Sequence, residues 1–417
     1  MQAEQITAPA TQSDSRPGQC PIDHTAYARQ KTARVVEPTG VPLERDAAGV
    51  WHVRGYEVAR AILRDDATKQ AGFKAELIER IPGAMNVPIL YQEGKTHQTQ
   101  RKQTARFFTP KAVSEHYHDL MDRLTNQLVD GLRRTGRADL SALSMTLAVG
   151  VAGEVIGLTN SRLPGMDRRL NVFFRDDVIS AGSRTRRLVS QLRNQLRIAA
   201  FFFLDVKPAI TARRRTPRED LISHLIKQQY RASEILTECV TFGAAGMVTT
   251  REFISVATWH FLEHPALRAR YLAAPDAERH LMLQEILRLE PVVGHLYRRA
   301  TADLHFETDG ALVTIPAGDL IDVHIYAVNA DESVVGDEPL ALCPARELRV
   351  DHASPAMMGF GDGQHRCPGQ YIAIQETDIF LRRLLALEGL RIERAPTLGW
   401  NDLVTGYELR DFIIAVD

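Results

Sequence analysis

Residues 360–369 read Phe360-Gly361-Asp362-Gly363-Gln364-His365-Arg366-Cys367-Pro368-Gly369, and the rest of the chain is best read outward from them. Cys367 stands in a glycine-rich loop just before a predicted helix, from about Gly369 to Leu387. Glycines let the backbone approach a flat ligand closely and turn N–H groups toward the sulfur. The helix N-terminus adds the positive end of a dipole beside the same sulfur. Both effects favour thiolate over thiol, and a standing thiolate is suited to hold a metal. A lone cysteine after a turn would read as an ordinary buried residue. The spacing of Phe360, Gly363, Cys367 and Gly369 argues otherwise, since in this composition it arises by chance on the order of once in a thousand such chains.

The other cysteines are Cys20, Cys239 and Cys343. No pair has Cys-x-x-Cys spacing, which argues against a zinc ribbon or a thioredoxin-type site. The 417 residues are 44% hydrophobic and 25% charged, values of a globular protein with ample core. Extensive disorder and fibrous repeats are excluded. Lys and Arg number 51 against 52 Asp and Glu, a formal charge of −1, so non-specific nucleic-acid binding is not expected. No apolar run approaches the ~20 residues of a membrane span. Residues 1–24 lack a basic segment followed by an apolar one, so a soluble cytoplasmic protein is expected.

Residues 1–24 read as a loose tail, and residues 25–417 as one large unit. Val41–Leu43 and Val50–Arg54 flank the turn sequence Asp46-Ala-Ala-Gly49, which predicts a hairpin. Helical periodicity starts near Tyr56. A non-periodic stretch from about Gln70 to Gly94 predicts a long functional loop. Helical patterns then dominate from about Thr96 to Leu289. Within them, Ser233 to Glu263 predicts one long helix whose uncharged middle, Val240 to Val248, is expected to be buried all round. Short strands are expected over about 303–325 and 388–416. The fold class is therefore mainly α with a small β region.

The 360–369 stretch resembles the haem-ligand loop of the cytochrome P450 superfamily, Phe-x-x-Gly-x-His-x-Cys-x-Gly. The continuation Gly369-x-x-Ile372-Ala373-x-x-Glu376 is similar to that family too, with Ile where Leu is usual. Glu285 and Arg288 match its Glu-x-x-Arg pair, and at i and i+3 they share a helix face. Arg346 matches the third member of that cluster, while Cys343 stands where the family commonly has Asp. His97 and Arg101, at i and i+4, match its His-x-x-x-Arg pair. The resemblance covers about residues 36 to 417. It implies haem b (iron protoporphyrin IX) with Cys367 as metal ligand and Phe360, Gly361 and Gly369 against the cofactor. His97, Arg101, Arg298 and His365 would serve its propionates, which need cationic or donor partners in a low-dielectric site.

The implied activity is a monooxygenase reaction on a small or medium hydrophobic substrate. Electrons would come from a ferredoxin and its reductase or an equivalent donor, since no stretch is left for a flavin or nicotinamide domain. Ala245, Gly246 and Thr249 fit the family's Ala-Gly-x-acid-Thr pattern on the oxygen side and are the catalytic candidates. The acid is missing: Val248 occupies its place. Thr249 with ordered water, Glu252, or a group on the substrate would have to compensate. Substrate-lining candidates are Met85, Val87, Ile89, Leu90, Phe173, Phe174, Phe242, Ala245, Val292–His295, Val404 and Thr405. Lys102, Arg106, Lys111 and Arg366 form a candidate basic face for an acidic partner. Two other readings stay open: a peroxide-using or radical-coupling oxidase on the same fold, and a non-catalytic haem protein that binds a ligand.

Overall fold

The computed structural model describes residues 30–33, 41–73, 87–171, 184–308, 310–402 and 404–417. The expected N-terminal tail lies outside them, as do Met85, Phe173 and Phe174. The helices that build the site are α1 (Tyr56–Arg64), α2 (Gly94–Thr104), α3 (His118–Thr135), α4 (Leu140–Ile156), α5 (Ala232–Gly243), α6 (Thr249–Glu263), α7 (Asp276–Leu289) and α8 (Gln370–Leu385). The first forms where the periodicity places it, with Tyr56, Ala59, Ile62 and Leu63 buried on one face. Among the described residues no helix is long and apolar enough to cross a membrane.

Helix α6 is the axis of the molecule. Every residue from Phe253 to Thr258 is buried, and α4, α7 and α8 pack around it. Ile254, Val256, Ala257 and Phe261 meet Leu147 and Val151 of α4 and Phe380, Leu381 and Leu384 of α8 in one hydrophobic core. A helix so enclosed carries no polar stripe, which is why its sequence shows little amphipathic pattern.

The strands are β1 (Leu43–Arg45), β2 (Trp51–Val53), β3 (Thr68–Ala71), β4 (Arg137–Asp139), β5 (His295–Ala300), β6 (Leu304–Thr308), β7 (Ala311–Ile315), β8 (Leu320–His324), β9 (Arg391–Arg394), β10 (Thr397–Asn401), β11 (Gly406–Arg410) and β12 (Ile413–Ala415). The expected hairpin forms, with Leu43 opposite Val53 and Arg45 opposite Trp51. It is the edge of a five-stranded sheet in the order β1-β2-β8-β5-β3. Strand β3 overlaps the start of the stretch expected to be loop, and β5 lies just before the expected strand region. The two pair with each other, Thr68 opposite Ala300, so β3 has no partner near it in sequence, while β5 also pairs with β8 on its other side.

Candidate active site

The loop 360–369 enters α8 and is pinned at both ends. The Cys367 N–H donates to the Phe360 carbonyl at 2.8 Å. Gly363 has φ 66°, and a Cβ there would collide with the Leu63 carbonyl at the end of α1. The Arg64 guanidinium grips the Asp362 carboxylate from the same helix end, at 2.9 and 3.2 Å.

The loop forms part of the wall of a mainly apolar cavity of about 470 Å³. Cys367, Phe360, Gly361 and Gly369 all line it. Cys343, the rival thiol, does not: it is buried elsewhere, its N–H on Glu285 at 2.9 Å. Burial pushes the Cys367 thiol up, and the Gly369 N–H, Arg101 and Arg366 only partly oppose this. A cation in the cavity would act in the same sense as these three and favour the thiolate.

The cationic candidates gather at one rim. Arg298 and His365 line the cavity, and His97 stacks on His365 with ring centroids 4.3 Å apart. The Arg101 guanidinium donates to the Arg366 carbonyl beside the cysteine. Arg298 is 3% exposed. Its guanidinium donates to Gln70 Oε1 at 2.6 Å and to its neighbour's carbonyl at 3.0 Å, with no ion pair among the described residues. Burial lowers it to about 10. Burial, with the charges of His365 and Arg101, lowers His97 to about 4, and His97 Nδ1 has no hydrogen-bond partner among the described residues. One member was missed by sequence reading: Glu93 accepts from Gln70 N–H at 2.5 Å and meets His365 Nε2 at 3.0 Å. No motif marks it, because its partners come from distant segments.

The long helix is not closed all round, contrary to expectation. Between α5 and α6 it widens into a π-helical turn, Ala244–Val248, and Val240, Thr241, Ala244, Ala245 and Gly246 face the cavity. Its middle is uncharged because it borders a ligand space as well as core. The Thr249 hydroxyl lines the cavity and donates to the Ala245 carbonyl, a backbone group that the π turn leaves available. Val248 is buried and lies off the cavity wall. Glu252 does not compensate for it. That carboxylate is turned away, accepting from Leu409 N–H at 2.8 Å, Arg410 at 2.7 Å and Arg251 at 2.8 Å.

Two other carboxyls had no role assigned from sequence. Glu376, on the α8 face that lines the cavity, is 2% exposed with an unpartnered Oε1, and burial pushes it up to about 8. Glu238 of α5 accepts from Ile89 N–H and Gln100 Nε2, each at 3.1 Å. It ties the cavity-wall segment to the long helix, and burial raises it to about 7. A single acid entering an apolar helical run was the available signal for Glu238.

Of the substrate candidates, Leu90, Phe242, Ala245, Val292, Val293 and Val404 line the cavity, joined by Phe73, Phe108, Val155 and Leu296. Val87, Ile89, Gly294, His295 and Thr405 do not. Strand alternation explains His295: Leu296 and Arg298 of β5 face the cavity, so His295 faces away.

Beneath the site, Glu285 takes a two-pronged bond from Arg288 at 2.7 and 2.8 Å and a third from Arg346 at 3.3 Å. Arg288, 1% exposed, also donates to the carbonyls of Asn329 and Pro339 at 2.8 Å. The cluster fastens the segment that leads into the cysteine loop.

Residues 280–387 match the sequence profile of the family described as Cytochrome P450. The chain is 25% identical over 370 residues to the "Biotin biosynthesis cytochrome P450" of Bacillus subtilis, covering 86% of each. It is 27% identical to the "Erythromycin C-12 hydroxylase" of Saccharopolyspora erythraea, covering 85% of this chain and 86% of that one. The fold is similar to the crystal structure of the cytochrome P450 enzyme CYP109B1 from Bacillus subtilis, with TM-score 0.72, 22% identity, and 90% and 95% of the two chains covered. Similar to such relatives over most of its length, and carrying the cysteine loop at the wall of an apolar cavity, the chain is a cytochrome P450-type oxidoreductase of the haem b class.

Proposed function

We propose that the chain is a haem-thiolate monooxygenase for a small or medium hydrophobic substrate, in which Cys367 would hold the iron. The observation that carries this reading is the Cys367 thiol in the wall of an apolar cavity that also holds the π turn and Thr249. The donor set suits haem b, which brings a metal cation for the thiol and two carboxylates for the rim. Arg298, buried beside the cavity with no ion pair among the described residues, is the clearest mark of that fit. When bound, the haem supplies the redox chemistry of dioxygen activation.

The chain's own residues supply the rest. Arg298, Arg101, His97 and His365 hold the carboxylates. Leu90, Phe108, Phe242, Val292 and Val404 exclude water and orient an apolar substrate. Thr249 Oγ1 offers a hydroxyl at the opened turn. Glu376 stores a proton on its carboxyl at neutral pH, at the cavity wall on α8. Electrons come from a separate donor, an acidic ferredoxin, docking on the exposed Lys102, Arg106 and Lys111 with Arg366 behind them.

Val248 favours a second reading, an oxidase that takes its oxygen from peroxide and needs no delivered proton. Spectral screening of a hydrophobic compound library identifies a ligand. Turnover of that ligand with ferredoxin, reductase and nicotinamide is then compared with turnover on peroxide alone. Product that depends on the electron supply supports the monooxygenase. Efficient product from peroxide, with none from the electron supply, establishes the second reading instead.

A further inference from the structure

On the face of the five-stranded sheet turned away from the cavity, four titratable side chains converge. His52 of β2 lies opposite Asp322 of the parallel β8, and His295 of β5 lies opposite His324 of the antiparallel β8. Asp322 and His324 are two residues apart on one strand, so both project on the same side. The alternating positions Val53, Ile321 and Val323 are fully buried in the small core beneath the other face.

Three ligand-type atoms form a compact triangle. His52 Nδ1 is 2.7 Å from His324 Nε2, which is 3.3 Å from Asp322 Oδ2, which is 3.7 Å from His52 Nδ1. For a tetrahedral zinc ion with bonds of about 2.0–2.1 Å, the edges between ligand atoms come to about 3.3 Å. The triangle already has that size on average. The surrounding groups are those of a metal site as well. Asp46 Oδ2 meets His52 Nε2 at 3.1 Å, which leaves the His52 Nδ1 lone pair directed into the triangle. His295 Nδ1 meets Asp322 at 2.9 Å from Oδ1 and 3.2 Å from Oδ2, and so fixes the carboxylate's rotation. The side chains of His52, Asp322 and His324 are 20%, 7% and 8% exposed, so an ion reaches the site without unfolding. None of the three lines the haem cavity.

We propose that His52 Nδ1, His324 Nε2 and Asp322 Oδ2 bind one divalent transition-metal ion of the zinc class. Water completes the tetrahedron, and the ion clamps the N-terminal hairpin to β8. Two imidazoles and one carboxylate suit zinc and its neighbours rather than magnesium or calcium. The site is independent of haem binding and of the oxygenase reading.

The test uses haem-loaded protein freed of metal with a chelator and titrated with zinc alone, by calorimetry and by thermal melting. One zinc per chain and a raised melting temperature are expected, with the haem spectrum unchanged. Asp322→Asn and His52→Gln, which keep size and polarity, should each abolish that binding. Asp46→Asn should weaken it by about 10- to 100-fold. His305→Ala, at an exposed histidine bonded to Thr314 on a separate hairpin, should leave it intact. No stoichiometric zinc uptake by the wild type overturns the proposal, as does equal uptake in Asp322→Asn and His52→Gln, which would place the ion elsewhere.

Discussion

Glu285 and Glu376 are both buried carboxyls on helices of one core, 4% and 2% exposed, yet they are held in opposite ways. Glu285 receives two guanidinium groups and a backbone N–H. Glu376 receives nothing at Oε1 and faces the cavity. A buried carboxylate with a full set of donors fixes the backbone around it and is costly to disrupt. A buried carboxyl without them keeps its proton. The first arrangement builds the platform for the cysteine loop. The second leaves a proton stored at the cavity wall.

The largest effect expected from breaking this contrast is at the platform. Glu285→Ala strands Arg288 as an unpaired buried charge, a loss of about 3–5 kcal/mol, comparable with a domain's whole stability. Little soluble, haem-loaded protein should be recovered. A normally melting, haem-loaded Glu285→Ala variant would show that the cluster does not hold the fold.

Next comes Glu376→Gln, which keeps shape but has no proton to give. Product formed per nicotinamide consumed should fall by roughly tenfold, with the difference appearing as peroxide. In the wild type that ratio should decline as pH rises through about 8, where Glu376 ionises. The stability effect has a definite sign. The native carboxyl binds a proton that the unfolded chain releases between 4.5 and about 8, so the group's contribution to stability falls as pH rises across that window. Glu376→Gln should flatten both dependences. Unchanged coupling and an unchanged pH profile would remove Glu376 from proton delivery.

The smallest effect is expected from restoring the missing acid. Val248 is buried off the cavity wall, so Val248→Asp should bury a carboxyl without placing it at the oxygen side. Coupling should not rise, and the melting temperature should drop slightly, which product ratio and thermal melting would show. Restored coupling would mean that the helix turns its 248 side chain inward and that the proton enters from α6 rather than α8.

How much was legible follows from the same contrast. The cysteine loop, the Glu285–Arg288 pair, the first hairpin and α8 are specified by short spacings, and all formed where those spacings put them. The opened helix was half legible: its glycines and its threonine marked it, but its one-sided exposure depends on a cavity made by other segments. Strand β3 was hidden because its partner, β5, lies more than two hundred residues away. Glu93 and Glu376 were hidden for a further reason. Their chemistry comes from surroundings, the first from His365 and the second from a missing donor, and neither leaves a pattern along the chain.

Which thiol holds the iron can be read from the ferrous carbonyl spectrum of Cys367→His recorded beside that of Cys343→Ser. Wild type and Cys343→Ser should both show the strongly red-shifted Soret band of thiolate ligation, and Cys367→His should lose it while still binding haem. A red-shifted band kept in Cys367→His and lost in Cys343→Ser would contradict the account.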